Sequence, residues 1–109
     1  MQTAIQHLYK PPHEGNGLLY AWFLSMHTRV DIILYSQKPE RELLLVVNRI
    51  YDALYRLEKI ANFYDPDSEL SFVNRTASIS PIVLSEELYS MIDLCLEYNS
   101  KTLGYFDIT

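Results

Sequence analysis

Apolar and polar residues are arranged between positions 18 and 35 in a pattern that predicts a β-hairpin. Residues 18–24 are apolar or aromatic throughout, which is typical of a strand covered on both faces. From position 28 to 35 the pattern partly alternates, so one face of a second strand is apolar and the other is polar. The apolar face holds Val30, Ile32 and Leu34, and the polar face holds Arg29 and Asp31. Because only the bend Ser25–His27 separates the two runs, the strands must be antiparallel.

A helical repeat follows this hairpin. Pro39 fits the first turn of a helix, which needs no amide donor there, and Glu40 and Glu42 lie near the positive end of the helix dipole. Apolar residues then recur at spacings of four and three, as on one face of an α-helix. They are Leu43, Val47, Ile50, Leu54, Leu57 and Ala61. The segment Asp65–Ser68 ends this helix, since a residue before proline avoids the helical conformation.

The second half of the chain predicts shorter elements and a second main helix. Ser68 is expected to cap a helical turn that runs to Asn74, and a loop over residues 75–80 leads to a short strand at residues 81–84. Ser85 is expected to cap the second main helix, which Gly104 ends before a last extended segment. The pattern favours an α+β fold, a mainly antiparallel sheet with two main helices packed on one face.

Residues 1–17 form a polar lead-in that contains the chain breakers Pro11-Pro12 and Gly15-Asn16-Gly17, so we expect it to be extended or looped. No charged segment followed by an apolar run is visible at the N-terminus, which predicts a cytoplasmic protein without a signal peptide. The longest apolar run, residues 18–24, is too short to span a bilayer.

Composition narrows the functional classes. The chain has 109 residues, of which 49% are hydrophobic, so we expect one domain with a buried core. The net charge is −5 and Lys and Arg are not clustered, which argues against nucleic acids and anionic membranes as partners. The single cysteine, Cys95, excludes an internal disulfide and a multi-cysteine zinc site, and its apolar helical surroundings indicate a packing role.

Three segments have the chemistry of a site for a planar ligand. Met26, at the predicted bend, is a flexible apolar side chain that could press on a flat ring, although a core-filling role is the simpler interpretation. Tyr64 lies beside a turn and could stack on a heteroaromatic ring, although the stretch is equally compatible with a plain helix-ending turn. The segment Tyr105–Asp107 joins two aromatic rings to a carboxylate, and its plain alternative is a frayed edge strand.

Other interpretations of the stretch after the first helix are weak. Asp65, Asp67 and Glu69 alternate like calcium ligands, but Leu70 stands where an EF-hand loop needs glycine and Thr76 where it needs glutamate. The glycosylation sequon that begins at Asn74 has no export signal to accompany it. No Gly-rich phosphate loop is present in the sequence, which excludes a P-loop or Rossmann site.

The three segments together resemble the ApbE-type FAD:protein FMN transferases. Residues 104–109 resemble the family element G-[AS]-F-D-[IP]-T, which lies near the middle of those proteins. Residues 25–28 resemble A-M-G-T, with Met26 and Thr28 matching. Residues 62–74 resemble S-x-Y-x-P-x-S-E-[IL]-S-x-[LIF]-N, and the matches are Tyr64, Pro66, Ser68, Glu69, Leu70, Ser71 and Asn74. The segments follow the family's order, about forty residues apart, and the resemblance extends from Trp22 to Thr109.

The resemblance implies that residues 18–109 are the N-terminal part of an ApbE-like domain that binds FAD. It implies that Tyr64 stacks on the isoalloxazine and that Met26 and Tyr105–Asp107 line the site, with Asp107 accepting hydrogen bonds from FAD. Ser68, Glu69 and Asn74 are expected to hold the backbone of the turn rather than to take part in chemistry. His27 replaces the family glycine and Tyr105 a small residue, so we expect the bend and the pocket shape to differ.

The family transfers FMN from FAD to a threonine or serine of an acceptor protein, and magnesium neutralises the pyrophosphate. The magnesium ligands and the base of the family lie beyond the last element that this chain matches, so we expect these residues alone to be inactive. Two hypotheses follow: part of a flavin transferase, or a non-catalytic module that binds flavin or self-associates. A half-fold leaves an apolar face and sheet edges open, which predicts a homo-oligomer.

Overall fold

The computed structural model describes residues 4–109, which form three strands and three helices, the α+β class predicted from the sequence. In chain order the elements are β1 (Gln6–Lys10), β2 (Gly17–Ser25), β3 (Thr28–Ser36), α1 (Glu40–Ala61), α2 (Glu69–Thr76) and α3 (Glu86–Lys101). By their internal packing the residues form two compact units, one ending at Glu58 and the other covering Lys59–Thr109. No helix of the described residues is long and apolar enough to cross a membrane.

The predicted hairpin is confirmed. β2 and β3 pair antiparallel from Gly17 opposite Ser36 to Ser25 opposite Thr28, and Met26 and His27 form the two-residue turn between them. Both turn residues are left-handed, with φ of 52° and 61°. Two positive φ values are the mark of a type I′ turn, whose twist matches that of the flanking strands. Neither residue is glycine, so this turn carries local backbone strain that the strand pairing must overcome.

A third strand lies inside the polar lead-in. β1 pairs antiparallel with β2, with Gln6 opposite Trp22 and Lys10 opposite Leu18, and the sheet order is β1-β2-β3. This segment was predicted only as extended or looped, because its residues are mostly exposed and its polar composition hides the strand. The chain returns from β1 to β2 tightly: a Cβ at Gly17 would lie 2.6 Å from the Lys10 carbonyl oxygen, so only glycine fits there.

The core of the first unit lies between β2 and α1. Leu19, Ala21, Leu43 and Val47 are buried together. Farther along the same interface the Phe23 and Tyr51 rings meet edge to face, with centroids 4.9 Å apart. Of the apolar stripe predicted for α1, Leu43 and Val47 are buried at the sheet, whereas the other four residues are half-buried. Tyr51 is the third buried residue of this helix.

The other face of β2 is only half-buried. The apolar run predicted that both faces of β2 would be covered, but only the face towards α1 is fully buried. On the outer face the Tyr20 and Trp22 rings lie against each other, with centroids 5.0 Å apart, and the Arg29 guanidinium lies 5.5 Å from the centroid of the Trp22 ring system. Two aromatic rings of β2 and one guanidinium of β3 thus cover part of that face.

The second unit contains two helices whose beginnings were predicted correctly. The Ser68 and Ser85 hydroxyls accept hydrogen bonds from the backbone N–H groups of Ser71 and Leu88, three residues on in each case. Glu residues occupy the first turns of both helices, and Arg75 and Lys101 lie in their last turns, which suits the helix dipole. These short-range signals determine where α2 and α3 begin.

Two predicted strands are absent from this unit. Residues 81–84 and the segment after Gly104 have no regular secondary structure, and α2 extends to Thr76, into the predicted loop. A strand of four residues exists only when a neighbouring strand supplies hydrogen bonds, and the described part of residues 59–109 contains none. The β-propensity of residues 81–84 is therefore not sufficient to form a strand. The observed order of elements is three strands followed by three helices.

A pair of adjacent valines tests the core of the first unit. Val47 is fully buried, whereas Val46 is 41% exposed on the same turn of α1. We expect Val47→Ala to lower the free energy of unfolding by about 2 kcal/mol because it leaves a cavity. Val46→Ala should change it by less than about 0.5 kcal/mol. Urea denaturation followed by circular dichroism measures both; equal effects would contradict the described core.

Candidate functional site

A buried pair of serines organises the turn between α1 and α2. Ser68 Oγ donates to the Asn62 carbonyl (2.7 Å) and accepts from the Ser71 N–H (3.1 Å). Ser71 Oγ donates to the Asp65 carbonyl (2.7 Å), and both serines are at least nine-tenths buried. Each hydroxyl has one proton, so these short contacts use both donors. The turn is therefore held by hydroxyls that satisfy its own carbonyl groups.

Side chains around this pair fix the rest of the turn. Asn62 Oδ1 accepts from the Tyr64 N–H (3.0 Å), and Asp65 Oδ1 accepts from the Asp67 N–H (2.9 Å). Arg75 reaches back from α2 and donates to the Pro66 carbonyl (2.8 Å). The carboxylate of Asp65 is thus a structural acceptor here, which gives no support to the calcium interpretation of this stretch.

Glu69 joins the turn to the start of α3. Its Oε2 accepts from the Ser85 N–H at 2.7 Å, and its Oε1 accepts from the Ser85 hydroxyl. Ser85 is the N-cap residue of α3, so one carboxylate fixes the first turn of α2 relative to the beginning of α3. Ser68 and Glu69 hold the backbone as expected, whereas Asn74 contributes to a cavity wall.

The ordered turn presents two aromatic rings on the protein surface. Phe63 and Tyr64 are 65% and 79% exposed, and their rings meet edge to face with centroids 5.3 Å apart. The turn fixes the backbone of Tyr64 without burying its ring. An exposed, positioned ring is what stacking on a planar ligand requires.

Two neighbouring cavities open beside these rings. The smaller, of about 290 Å³, is lined by Phe63, Tyr64, Pro66, Ser71, Asn74 and Arg75. The larger, of about 720 Å³, has a mainly apolar wall made by Ala61, Phe63, Leu70, Val73, Asn74, Leu88, Met91, Ile92, Cys95, Ile108 and Thr109. Phe63 and Asn74 line both, so the two cavities adjoin.

The C-terminal segment reaches the larger cavity. After α3 the chain reverses through two left-handed residues, Leu103 (φ 55°) and Gly104 (φ 86°). Asn99 Nδ2 then donates to the Phe106 carbonyl (2.8 Å), and the Phe106 N–H donates to Thr102 Oγ1 (2.9 Å). These bonds anchor the segment to the end of α3, so that Ile108 and Thr109 close one side of the cavity.

Asp107 carries a carboxylate that is already oriented. Its Oδ1 accepts from the Thr109 N–H (2.9 Å) and from the Thr109 hydroxyl (2.7 Å). These bonds, with the backbone N–H as the larger cause, hold the pKa of Asp107 below its usual value. The carboxylate is therefore ionised at neutral pH and can act as an acceptor.

Of the five predicted site residues, Tyr64 lines the smaller cavity, and Met26, Tyr105, Phe106 and Asp107 line neither cavity. Within the second unit, the turn that carries Tyr64 and the segment that carries Asp107 border adjoining cavities through Phe63 and Thr109. Phe106 is 44% exposed and its ring lies 6.4 Å from the Tyr98 ring, whereas Tyr105 is 93% exposed. Met26 is 42% exposed in the hairpin turn of the first unit. A flavin contact from Met26 stays a prediction.

Sequence reasoning missed several lining residues. Phe63 and Asn74 connect the two cavities, and Arg75 is the only charged side chain in either lining. The spacing of four residues between Met91 and Cys95 placed both on one face of α3, but nothing local showed that this face lines a cavity. Among residues 4–109, no three His, Cys, Asp or Glu side chains are grouped as metal ligands would be.

Comparison with known proteins gives a consistent result. The profile of the ApbE family matches residues 26–109. An FAD:protein FMN transferase of Treponema pallidum is 25% identical over 84 residues, which cover 77% of this chain and 23% of that protein. One of Chlamydia muridarum is 30% identical over 79 residues, covering 72% of this chain and 23% of that protein. The chain therefore spans about a quarter of the length of these relatives. No solved structure matches it.

Removal of one hydroxyl tests the serine pair. We expect Ser68→Ala to destabilise the second unit by about 1–2 kcal/mol, because α2 loses its cap and buried groups lose a partner. Hydrogen exchange at the Ser71 amide should accelerate correspondingly. The control is Ser78→Ala, an exposed serine after α2, which should change neither quantity. Unchanged exchange at Ser71 in the first variant would contradict the network.

Proposed function

This chain belongs to the ApbE family, and on that premise we propose that it supplies the flavin-binding N-terminal portion of an FAD:protein FMN transferase. The substrate is FAD, and the acceptor is a threonine or serine of a partner protein. The observation that carries the proposal is the pair of adjoining cavities, with an exposed, positioned Tyr64 in the lining of the smaller one. Both curated relatives described above have this activity in their names.

The dimensions and chemistry of the cavities fit a flavin. Small-molecule sites usually measure about 300–1,000 Å³ and combine apolar walls with a few polar groups, a range that includes the larger cavity. An isoalloxazine is a flat ring system with one polar end, which suits an apolar wall with Asn74 and Thr109 at its borders. The guanidinium of Arg75, in the smaller lining, suits the pyrophosphate.

The proposed roles follow from these positions. Tyr64 stacks on the isoalloxazine, and stacking of this kind contributes about 1–3 kcal/mol per ring in nucleic-acid complexes. Asp107 accepts hydrogen bonds from FAD through the oxygen that Thr109 does not use. Tyr105 and Phe106 border the ligand. A flavin contact from Met26, which lies in the first unit, stays a prediction of the family resemblance.

In the proposed reaction, the acceptor hydroxyl attacks the phosphorus of the FMN phosphate. A P–O bond to that phosphorus forms, the pyrophosphate bond breaks, AMP leaves, and a base takes the hydroxyl proton. Magnesium would neutralise the pyrophosphate charge in this proposal, with its ligands and the base supplied from outside these 109 residues. The part proposed for this chain is to bind and orient FAD. We therefore expect no FMN transfer by this chain alone.

A second candidate function is a non-catalytic module that binds flavin or self-associates. The observation that favours it is the sheet of the first unit. Among residues 4–109 one edge of β3 has no neighbouring strand, and the outer face exposes Leu24, Ile33 and Tyr35. Exposed edges and apolar patches of this kind mark interaction surfaces. The cytoplasmic location expected from the sequence stays a prediction.

A tyrosine pair tests the flavin site. We expect Tyr64→Ala to weaken FAD binding at least about fivefold, since the loss of about 1–3 kcal/mol of stacking corresponds to a factor of about 5–150. The fold should be retained because the Tyr64 ring is 79% exposed. Isothermal titration calorimetry with FAD gives the affinities, and circular dichroism checks the fold.

The matched control is Tyr89→Ala. Tyr89 is 62% exposed on α3 and lines neither cavity, so its removal should leave the affinity for FAD unchanged. Equal affinities of wild type and Tyr64→Ala would reject the stacking role. If the wild type does not bind FAD at all at millimolar concentration, the flavin-binding proposal fails for this chain.

The only cysteine of the chain locates the bound ligand. Cys95 is half-buried in the wall of the larger cavity, so a flavin that fills this cavity should shield its thiol. We expect saturating FAD to slow the reaction of Cys95 with a disulfide reagent such as DTNB at least fivefold. AMP, which lacks the isoalloxazine, should have no effect. An unchanged rate at FAD concentrations that saturate the calorimetric titration would place the ligand elsewhere.

A further inference from the structure

The two edges of the sheet differ in how they are protected. β1 is a five-residue edge strand followed by Pro11-Pro12, and such short, proline-flanked edges do not extend a sheet readily. β3 is a nine-residue edge strand, and it contains neither proline nor glycine between Thr28 and Ser36. Its outer side has no neighbouring strand among the described residues. The open hydrogen-bonding capacity of the sheet is therefore concentrated on β3.

The hairpin turn determines which backbone groups this edge offers. In a two-residue type I′ hairpin, the residues that flank the turn form a hydrogen-bonded pair, here Ser25 and Thr28. Hydrogen-bonded and non-hydrogen-bonded pairs alternate along an antiparallel ladder. The even-numbered residues of β3 thus direct their N–H and C=O groups to β2. The odd-numbered ones, Arg29, Asp31, Ile33 and Tyr35, direct them outward.

We propose that β3 binds β3 of a second copy of this chain, antiparallel and in register, with Ile32 opposite Ile32 on the two-fold axis. Thr28 then lies opposite Ser36, so all nine residues overlap and two three-stranded sheets become one of six strands. The outward-directed residues meet each other, Arg29 opposite Tyr35 and Asp31 opposite Ile33. Each of these pairs occurs twice, once on either side of the two-fold axis, and exchanges two backbone hydrogen bonds, so this geometry gives about eight in all.

Other symmetric registers are poorer. A two-fold axis at Asp31 would place two carboxylates directly opposite each other, which is unfavourable. An axis at Val30 would oppose Arg29 and Asp31 but leave only residues 28–32 overlapping, since the hairpin turn precedes Thr28. The register centred on Ile32 has the longest overlap and opposes no like charges.

Side chains on both faces are compatible with this pairing. Arg29 and the Tyr20 hydroxyl both hydrogen-bond to Asp31 within one chain, and Tyr20 more than Arg29 lowers the pKa of that carboxyl. The negative charge of Asp31 is therefore already stabilised by Tyr20 and Arg29 of the same chain before a second copy binds. Ile33 and Tyr35 are 53% and 72% exposed, and pairing covers part of both on the outer face. On the inner face, Val30 lies opposite Leu34 of the second copy.

This inference rests on the second candidate function, self-association, and does not require flavin binding. β3 lies in the first unit, whereas both cavities are lined by residues 61–109. The two proposals can therefore fail separately. Titration with FAD tests one of them, and the association state tests the other.

A proline at an outward-directed position tests the edge. We expect the wild-type chain, 12.8 kDa as a monomer, to have twice this mass by light scattering at about 50 μM. Ile33→Pro should be monomeric because it removes an outward N–H and places a ring at the interface. It should retain its circular dichroism spectrum and FAD affinity, since the bonds to β2 do not use this N–H. Ile33→Val keeps the N–H and should remain dimeric.

Disulfide trapping tests the register in a Cys95→Ser background. Ile32→Cys should give a covalent dimer with oxidised glutathione, because opposed residues of a non-hydrogen-bonded pair lie about 4.5 Å apart at Cα, within disulfide range. Leu34→Cys, which faces Val30 in the second copy, should crosslink at least tenfold more slowly. A wild-type monomer at 50 μM, a dimeric Ile33→Pro variant, or equal crosslinking at both positions would overturn the proposal.

Discussion

The conformation of the turn at the candidate site depends on one buried hydroxyl group, that of Ser68. Its oxygen caps α2, its proton satisfies the Asn62 carbonyl, and its neighbour Ser71 satisfies Asp65 in the same way. A buried carbonyl without a partner would cost about 1–3 kcal/mol, so each of these groups strongly favours one arrangement of the turn. The aromatic rings of Phe63 and Tyr64 can remain exposed because the turn is held by hydrogen bonds rather than by their burial. The affinity proposed for FAD depends on this division: the serine hydroxyls hold the turn, and the aromatic rings stay exposed and can contact the ligand.

The parts of the structure that the sequence predicted well depend on neighbouring residues. Ser68 and Ser85 cap helices through amides three residues away, and the hairpin follows from two apolar runs and a short bend. The parts that it missed depend on distant residues. β1 is polar and becomes a strand only through pairing with β2, and residues 81–84 fail to become one because no partner strand lies beside them in their unit. The connection between the cavities through Phe63 is likewise a consequence of tertiary packing that no local pattern encodes.

The departure of this chain from the family pattern at the hairpin has a physical counterpart. The family glycine would adopt a left-handed conformation freely, whereas His27 adopts it at φ 61° with a side chain to accommodate. The preceding residue, Met26, is also left-handed, at φ 52°. The strain of the turn is therefore borne by the β2–β3 ladder, which continues for nine residue pairs. The hydrogen bonds of this long ladder offset the strain of the turn, and the same length gives β3 its long edge.

The C-terminal segment shows how a ligand site can be prepared before the ligand arrives. Thr109 engages one oxygen of Asp107 with two donors and lowers the pKa of that carboxyl, while an ionised carboxylate offers about four acceptor sites in total. A ligand that donates to the second oxygen therefore has no existing bond to break. A hydrogen bond to a charged group contributes about 1.5–3 kcal/mol, which is comparable with the contribution of stacking, about 1–3 kcal/mol. In the proposed complex, stacking on Tyr64 and hydrogen bonding to Asp107 would therefore contribute similar amounts of affinity, and the bonds to Asp107 would orient the flavin.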